Sequence, residues 1–285
     1  MRTVLVVLKI IIALSVLGAM AATAAFVHKV RREQLPEVVT RELKQKLENS
    51  SAVDLRPGEK AFTRARELLA TGNMAKGREK LLYIVNFHPE TPSADEARRI
   101  LGEMNLDRIL SLDEMANKKR SEAKPGDSIT RIANREDTTV DLIMNLNGLT
   151  QVDRIQLGDE FIVMPLNFSA TIEPARQRLT LYQEGEFVKD YAITKMTLEG
   201  PGRTVTTELK TKLGYRDGRR YSPSFAGYRR GLKLLVLSDM NLELRSEDDQ
   251  EAESFQVLYF ANEDLEELAM LLRVGNEVVI RKGRQ

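Results

Sequence analysis

The hydrophobic pattern of this 285-residue chain changes period at Asn167, and that change constrains the fold more than any compositional figure. Before it, apolar residues recur three and four apart. Phe62, Ala65, Leu68 and Leu69 share one helical stripe, and Leu81, Leu82, Ile84 and Val85 share another. After it, short runs rich in β-formers take over, as in RLTLYQEGEFVKDYAIT, LKLLVL and LELR. Helices gathered ahead of strands predict a multidomain α+β chain, and the length accommodates two or three modest domains.

The last strand-to-helix junction, SFQVLYFANEDLEEL (residues 254–268), carries the sharpest chemical question. Phe255, Val257, Leu258, Tyr259 and Phe260 predict a strand. Asn262-Glu263-Asp264 predicts a helix cap with an acidic first turn. A strand entering a helix N-terminus is a common seat for a nucleophile, because free helical N–H groups stabilise anions there. No residue at this junction is reactive.

Composition narrows the chemistry further. The chain has no cysteine, which excludes disulfides, thiolate metal sites and thiol catalysis together. Its two histidines, His28 and His88, both precede the strand-rich half, so no serine–histidine dyad or histidine metal site is expected there. His28 flanks the hydrophobic N-terminus, and His88 sits in a helix–helix turn, FHPETPS. Lys and Arg total 43 against 42 Asp and Glu, so no global field steers the chain to nucleic acid or membrane. No cofactor, metal or nucleic-acid partner is expected.

Residues 10–27 run without a charge and, as a helix, nearly cross a hydrocarbon core of ~30 Å. Ala19-Met20-Ala21 and Ala22-Thr23-Ala24 both offer a small-x-small cleavage pattern. Residues 1–32 therefore read as a signal anchor or a cleaved signal peptide, directing the chain to a cell envelope. The basic cluster at 28–32 counts toward a cytoplasmic flank. Residues 35–51, with Val39, Leu43 and Leu47 on one stripe, predict a spacer helix.

Residues 60–111 predict helical hairpins, with Gly72 as a C-cap and Ser93-Ala94-Asp95-Glu96 as a capping box for a third helix. Their G…A…P spacing resembles a tetratricopeptide repeat, which implies a protein-docking or spacer module. Plain helical packing explains the same spacing. NKKRSEAK (117–124) reads as a charged linker, so the spacer region spans 33–118.

EAKPGDSITRIANREDTTVDLIMNLNGLTQVDRIQLGDEFIVMP (122–165) resembles a LysM domain along its length. The residues agree with that resemblance. Gly126-Asp127-Ser128 makes a turn that caps a first helix, Thr139-Val140-Asp141 opens a second, and Asn147-Gly148 ends it. Phe161 and Val163 then close a strand against the segment near Ala123, giving a βααβ order over residues 119–166. The resemblance implies binding of N-acetylglucosamine glycan, mainly peptidoglycan, between two loops. Carried onto this chain these are Gly126, Asp127, Ser128 and Ile129, and Asp153, Arg154, Ile155, Gln156 and Leu157. Leu157 stands in place of the family's proline, and Asp159 in place of its glutamine.

Residues 167–285 resemble the mainly-β catalytic domain of L,D-transpeptidases, through the opening hairpin at Glu184-Gly185-Glu186 and through ANEDLEELAMLLRVGNEVVI. That family uses a serine, a variable residue, a glycine and a cysteine, then isoleucine and arginine. Here Phe255, Gln256, Val257, Leu258 and Tyr259 follow Ser254, so Val257 occupies the nucleophile's position and Tyr259 the arginine's. The family's His-Gly pair aligns with Arg245-Ser246, and its Thr-Pro-x-Gly loop with residues 204–207. Without thiolate and histidine the reaction has no activated nucleophile and no proton donor for the leaving amine. The resemblance therefore implies a pseudoenzyme. Two further segments, the basic–aromatic GYRDGRRYSPSFAGYRRGLK (214–233) and the acidic SEDDQEAE (246–253), read as solvated loops that pair across the vacated cleft, or as a grip for anionic glycan. The reading that results is a non-catalytic envelope protein binding peptidoglycan. Its alternatives are an adaptor recruiting a protein through the helical region, or an unorthodox wall-modifying enzyme.

Overall fold

The computed structural model describes residues 56–112, 117–151, 155–197, 202–239, 241–249 and 256–282. The expected membrane helix and spacer helix, Ser254, Phe255, and Asp153 and Arg154 lie outside them. Among the described residues, no helix is long and apolar enough to cross a membrane.

Three helices come first: α1 (Pro57–Ala70), α2 (Met74–Phe87) and α3 (Ala94–Leu110). Pro57 suits the first turn of α1, where its missing N–H costs nothing. Gly72, at φ +76°, turns the chain into α2. The helical hairpins are as expected, but the capping box at Ser93 is not formed. Ser93 is helical in conformation, and its N–H and hydroxyl both donate to Glu59 of α1, at 3.0 and 2.9 Å. A carboxylate 34 residues away outcompetes the local cap and ties α3 to α1.

The next module is β1 (Lys119–Glu122), α4 (Ile129–Arg135), α5 (Val140–Leu146) and β2 (Glu160–Val163). The two strands pair antiparallel, Glu122 opposite Glu160. The expected linker 117–124 is therefore in part a strand. Lys118 also leaves solvent, donating to the Arg108 and Ser111 carbonyls at the C-terminus of α3 (3.0 and 2.6 Å). Ser128 and Thr139 cap the two helices through the Arg131 and Leu142 amides. Asn147 ends α5 and its side-chain amide then bonds both the N–H and carbonyl of Ile162, acting as a neighbour to the edge of β2.

The remaining strands are β3 (Phe168–Glu173), β4 (Arg178–Gln183), β5 (Glu186–Ala192), β6 (Lys195–Met196), β7 (Val205–Arg216), β8 (Arg219–Tyr221), β9 (Leu232–Leu237), β10 (Glu243–Ser246), β11 (Val257–Phe260) and β12 (Glu277–Ile280). Helices α6 (Ala226–Arg230) and α7 (Asn262–Leu271) interrupt them. They form one sheet in the order β5-β4-β3-β12-β7-β9-β10-β11-β6, with β8 paired to β7. Only β3–β12 and β10–β11 are parallel among the recorded pairs. The β4–β5 hairpin turns at Glu184 and Gly185, both at positive φ, as a two-residue turn requires. Residues 204–207 are not a loop. Val205 begins β7 and pairs with Ile280, because the alternating Val205, Thr207 and Leu209 face the core of the sheet.

Gly58–Gln285 is one compact unit. Its principal core joins Leu106 and Ile109 of α3, Leu142 and Leu146 of α5, and sheet residues such as Leu209, Leu235 and Phe260. On the edge strand β5, Asn105 of α3 donates to the Phe187 and Val188 carbonyls, and Arg98 forks Asp190 (Nη2–Oδ1 2.9 Å) while stacking over Phe187. Helix α3 thereby covers an edge that would otherwise pair with another chain.

Candidate functional site

Antiparallel pairing of β1 and β2 brings the loop after β1 and the loop before β2 to the same end of the module. Ala123 and Asp159 exchange the base contact: the Ala123 N–H donates to the Asp159 carbonyl at 2.9 Å, and the Gly158 N–H donates to the Ala123 carbonyl at 3.1 Å. Gly126 and Gly158 hold φ of +76° and +87°, which lets each loop turn tightly.

The acidic groups in these loops are committed to loop shape. Asp127 accepts from Arg135 (2.6 Å) and from the Lys124 amide (3.0 Å); the Arg135 bond chiefly holds its carboxyl below the usual range. Asp159 accepts from the Gln156 amide at 2.7 Å, so the departure from glutamine serves the turn. Ile129 is 1% exposed and belongs to the module's core, with Ile132, Ile143 and Val163. Of the predicted groove residues, Gly126, Ser128, Gln156 and Leu157 face solvent, and Leu157 is 71% exposed. At the base, Lys119, Arg135 and Ser121 surround Glu136, and the Lys119 bond leads in lowering its pKa to about 2.

The reaction centre implied by the L,D-transpeptidase resemblance lies where β10 runs parallel to β11, with Glu243 opposite Val257 and Arg245 opposite Tyr259. Val257 and Ser246 are fully buried. Val257 donates its N–H to Thr197 Oγ1 at 2.9 Å, and its carbonyl accepts from the Thr197 N–H at 2.9 Å. Arg245, which the resemblance sets against the family's histidine, is 3% exposed and bonds Glu243 at 2.7 Å and Asp249 at 2.5 Å. Asp249 is itself 5% exposed, so this part of the acidic segment is core rather than solvated loop. Lys195 sits 5.4 Å above the Tyr259 ring. At the junction, α7 starts at Asn262 with Ala261 as its N-cap and no side-chain cap, so Asn262 is the first helical residue and not the cap expected of it.

The basic–aromatic segment is solvated only in part: Arg216, Arg219, Arg220 and Arg230 are exposed, while the stretch around Tyr228 packs inward. Tyr228 is fully buried, donating its hydroxyl to Asp141 of α5 at 3.0 Å, and Arg229 donates to the Thr150 carbonyl at 3.2 Å. Thr139 donates to the Met270 carbonyl at the end of α7 (2.6 Å), and Lys212 bonds the Ala269 and Leu272 carbonyls close by. Tyr228, Arg229 and Thr139 fasten the βααβ module to the sheet. The close approach at Gly214 marks the spot: a Cβ there would lie 2.5 Å from the Tyr228 backbone. Among the described residues no cluster of histidine and acidic side chains is arranged to hold a metal.

A two-stranded ribbon closed by two capped helices is the architecture the sequence resemblance implied, and residues 122–163 match the family model of the LysM domain. Solved structures similar to the chain include L,D-transpeptidases. One is an Enterococcus faecium L,D-transpeptidase mutant (13% identity, covering 39% of this chain and 48% of that one, TM-score 0.28). Another, from Mycobacterium smegmatis, has 11% identity, coverages of 44% and 64%, and a TM-score of 0.28. A third, from Stackebrandtia nassauensis, has 10% identity, coverages of 73% and 90%, and a TM-score of 0.30. The match spans about half the length of the first such structures, 50% and 48%. No curated protein sequence matches the chain.

Proposed function

We propose that this is a non-catalytic cell-envelope protein that holds peptidoglycan through the loops around Gly126 and Leu157, with the sheet as a transpeptidase-like scaffold whose reaction centre has been refilled. Residues 10–27 serve in this reading as its membrane anchor or export signal. The observation that carries the pseudoenzyme part is Arg245. A guanidinium fixed between Glu243 and Asp249 is permanently protonated and can neither activate a nucleophile nor relay a proton at neutral pH. The neighbouring Val257 offers no nucleophile.

Glycan binding rests on the LysM match and on two loops pinned at a common base while their outer residues stay exposed. The test is co-sedimentation of the full chain with purified sacculi. Deleting the module is the wrong control, because Leu142 and Leu146 belong to the main core. Leu157→Asp and Gln156→Ala are better controls. A loss of pelleting of tenfold or more in Leu157→Asp, with folding intact, supports the reading, and wild-type chain left in the supernatant overturns it. Peptide exchange on disaccharide–peptide substrates would overturn the non-catalytic part.

The adaptor reading keeps one observation of its own. Tyr83 and Phe87 are 41% and 70% exposed on α2, their rings 5.5 Å apart, an aromatic surface that a protein partner could cover. A partner lost on Phe87→Ser but retained on Leu157→Asp would favour it.

A further inference from the structure

The exposed part of the basic–aromatic segment lies against both glycan loops. The Thr130 hydroxyl, next to Ile129 at the end of the first loop, reaches Ser224 Oγ at 3.4 Å. Arg229 donates to the Thr150 carbonyl at 3.2 Å, on the connection that leads from α5 into the second loop. The stretch 224–229 therefore runs from one loop to the other, and it comes from the sheet domain. We propose that it is a third wall of the glycan site, with Phe225 as a platform for a sugar ring and Arg219 and Arg220 as partners for carboxylates on an acidic strand. The proposal rests on the glycan reading above and adds to it a contact outside residues 122–163.

Phe225 is 63% exposed, while Tyr228 one turn further on is fully buried. The backbone holds the exposed ring in place. The Phe225 N–H donates to the Ser222 carbonyl, and its own carbonyl accepts from the Tyr228 N–H, both at 3.0 Å. Gly227 closes the same turn, since a Cβ there would lie 2.4 Å from the Tyr221 ring. A ring presented on a fixed backbone loses little freedom when it is covered. The faces of a pyranose are lined by C–H groups, so an aromatic face complements them, and the neighbouring loops bring the strand to it.

The charge beside this platform selects the kind of strand. Arg219 and Arg220 of β8 are exposed, and among the described residues neither has a carboxylate partner. Arg216, directly opposite Arg219, bonds Asp217 at 3.2 Å. Like charges opposite one another destabilise a strand pair, yet the turn at Asp217 and Gly218, with φ of +50° and +71°, holds these two there. In the packed parts of the molecule Arg98, Arg135 and Arg178 each close on a carboxylate. The fork of a free arginine matches a carboxylate from outside. Peptidoglycan strands carry carboxylates and chitin does not, so this wall favours the former.

The chain has no tryptophan, so Phe225→Trp places a single fluorescent reporter on the platform. Full-length protein carrying it is titrated with chitin trisaccharide, chitin hexasaccharide and soluble peptidoglycan strands. The expected result is a saturable blue shift with the two longer ligands, lost when Leu157→Asp is added. Without the reporter, Phe225→Ser weakens hexasaccharide binding about fivefold, as uncovering much of a phenyl ring implies, and leaves the trisaccharide unchanged. Arg219→Gln combined with Arg220→Gln weakens peptidoglycan strands, reduces the salt dependence of their binding, and leaves both chitin ligands alone. Hexasaccharide binding seen by calorimetry without any change in reporter emission overturns the platform. An equal loss for the trisaccharide in Phe225→Ser marks a structural effect on the loops and overturns it too. Peptidoglycan binding indifferent to the paired arginine substitution removes the carboxylate contact. Wild-type chain that binds none of the three ligands refutes the glycan reading itself.

Discussion

Removing Asp249 tests whether Glu243, Arg245 and Asp249 form a desolvated ion cluster. The side chains of Arg245 and Asp249 are 4% and 2% exposed, and that of Glu243 is 14% exposed. Asp249→Ala strips Arg245 of one of its two carboxylates without giving water access to the space. Breaking a buried pair from one side costs about 3–5 kcal/mol, and because Glu243 still balances the charge the lower end, about 3 kcal/mol, is expected. For a unit of this size that is a fall in melting temperature of roughly 6–12 °C. Urea unfolding followed by far-ultraviolet circular dichroism measures it, with an unchanged slope in denaturant showing that only stability moved. The cost persists in 0.5 M NaCl, since buried charges are little screened. A triple replacement, Glu243→Gln with Arg245→Met and Asp249→Leu, recovers most of the loss, because an apolar filling needs no charge desolvated. A cost below about 1 kcal/mol, or one abolished by salt, would falsify the buried-cluster account and return Arg245 to an ordinary surface pair.

Three other outcomes follow from the same structure. Leu142→Ala, at a fully buried position of the main core, costs about 2–5 kcal/mol, and amide exchange should rise at β9 as well as β2; a loss of protection confined to residues 119–166 would separate the modules. Glu136 has its folded pKa lowered to about 2, chiefly by Lys119, so its contribution is full above its ordinary pKa of 4.5 and is lost as pH falls toward 2; Glu136→Gln flattens that part of the acid-stability curve. Lys212 runs the other way: burial lowers it to about 8, the unfolded chain binds more protons between there and 10.5, and wild type gains stability relative to Lys212→Met as pH rises through that window. Equal slopes for the two proteins would show that Lys212 titrates in the folded chain as it does unfolded, and would refute its desolvation.

Local chemistry made much of this fold legible. Ser128, Thr139 and Asn147-Gly148 act within three or four residues of themselves, and Glu184-Gly185 builds its own hairpin turn, so spacing alone located them. Ser93 shows where that reasoning fails: a suitable cap was present, but Glu59 claimed it from another helix. Lys118 reads as linker charge for the same reason, since its carbonyl partners are set by tertiary structure. The segment 214–233 was legible in part. Arg216, Arg219, Arg220 and Arg230 are exposed as their charge implies, while the signal for burying Tyr228 lay in glycines that admit close backbone approach, Gly214 against Tyr228 and Gly231 against Tyr215. Of the site, both loops could be read but not which of their residues face outward; the alternation that buries Ile129 and exposes Leu157 depends on the module's own core.

The bond from Tyr228 to Asp141, with Leu142 and Leu146 in the main core beside it, has a mechanical consequence. A wall-binding module on a flexible tether lets tension stretch the tether and spares the body it is attached to. Here a load taken up at the glycan loops passes through α5 straight into α7 and the sheet, as shear across a packed joint. The protein would behave under strain as a rigid strut rather than a leash.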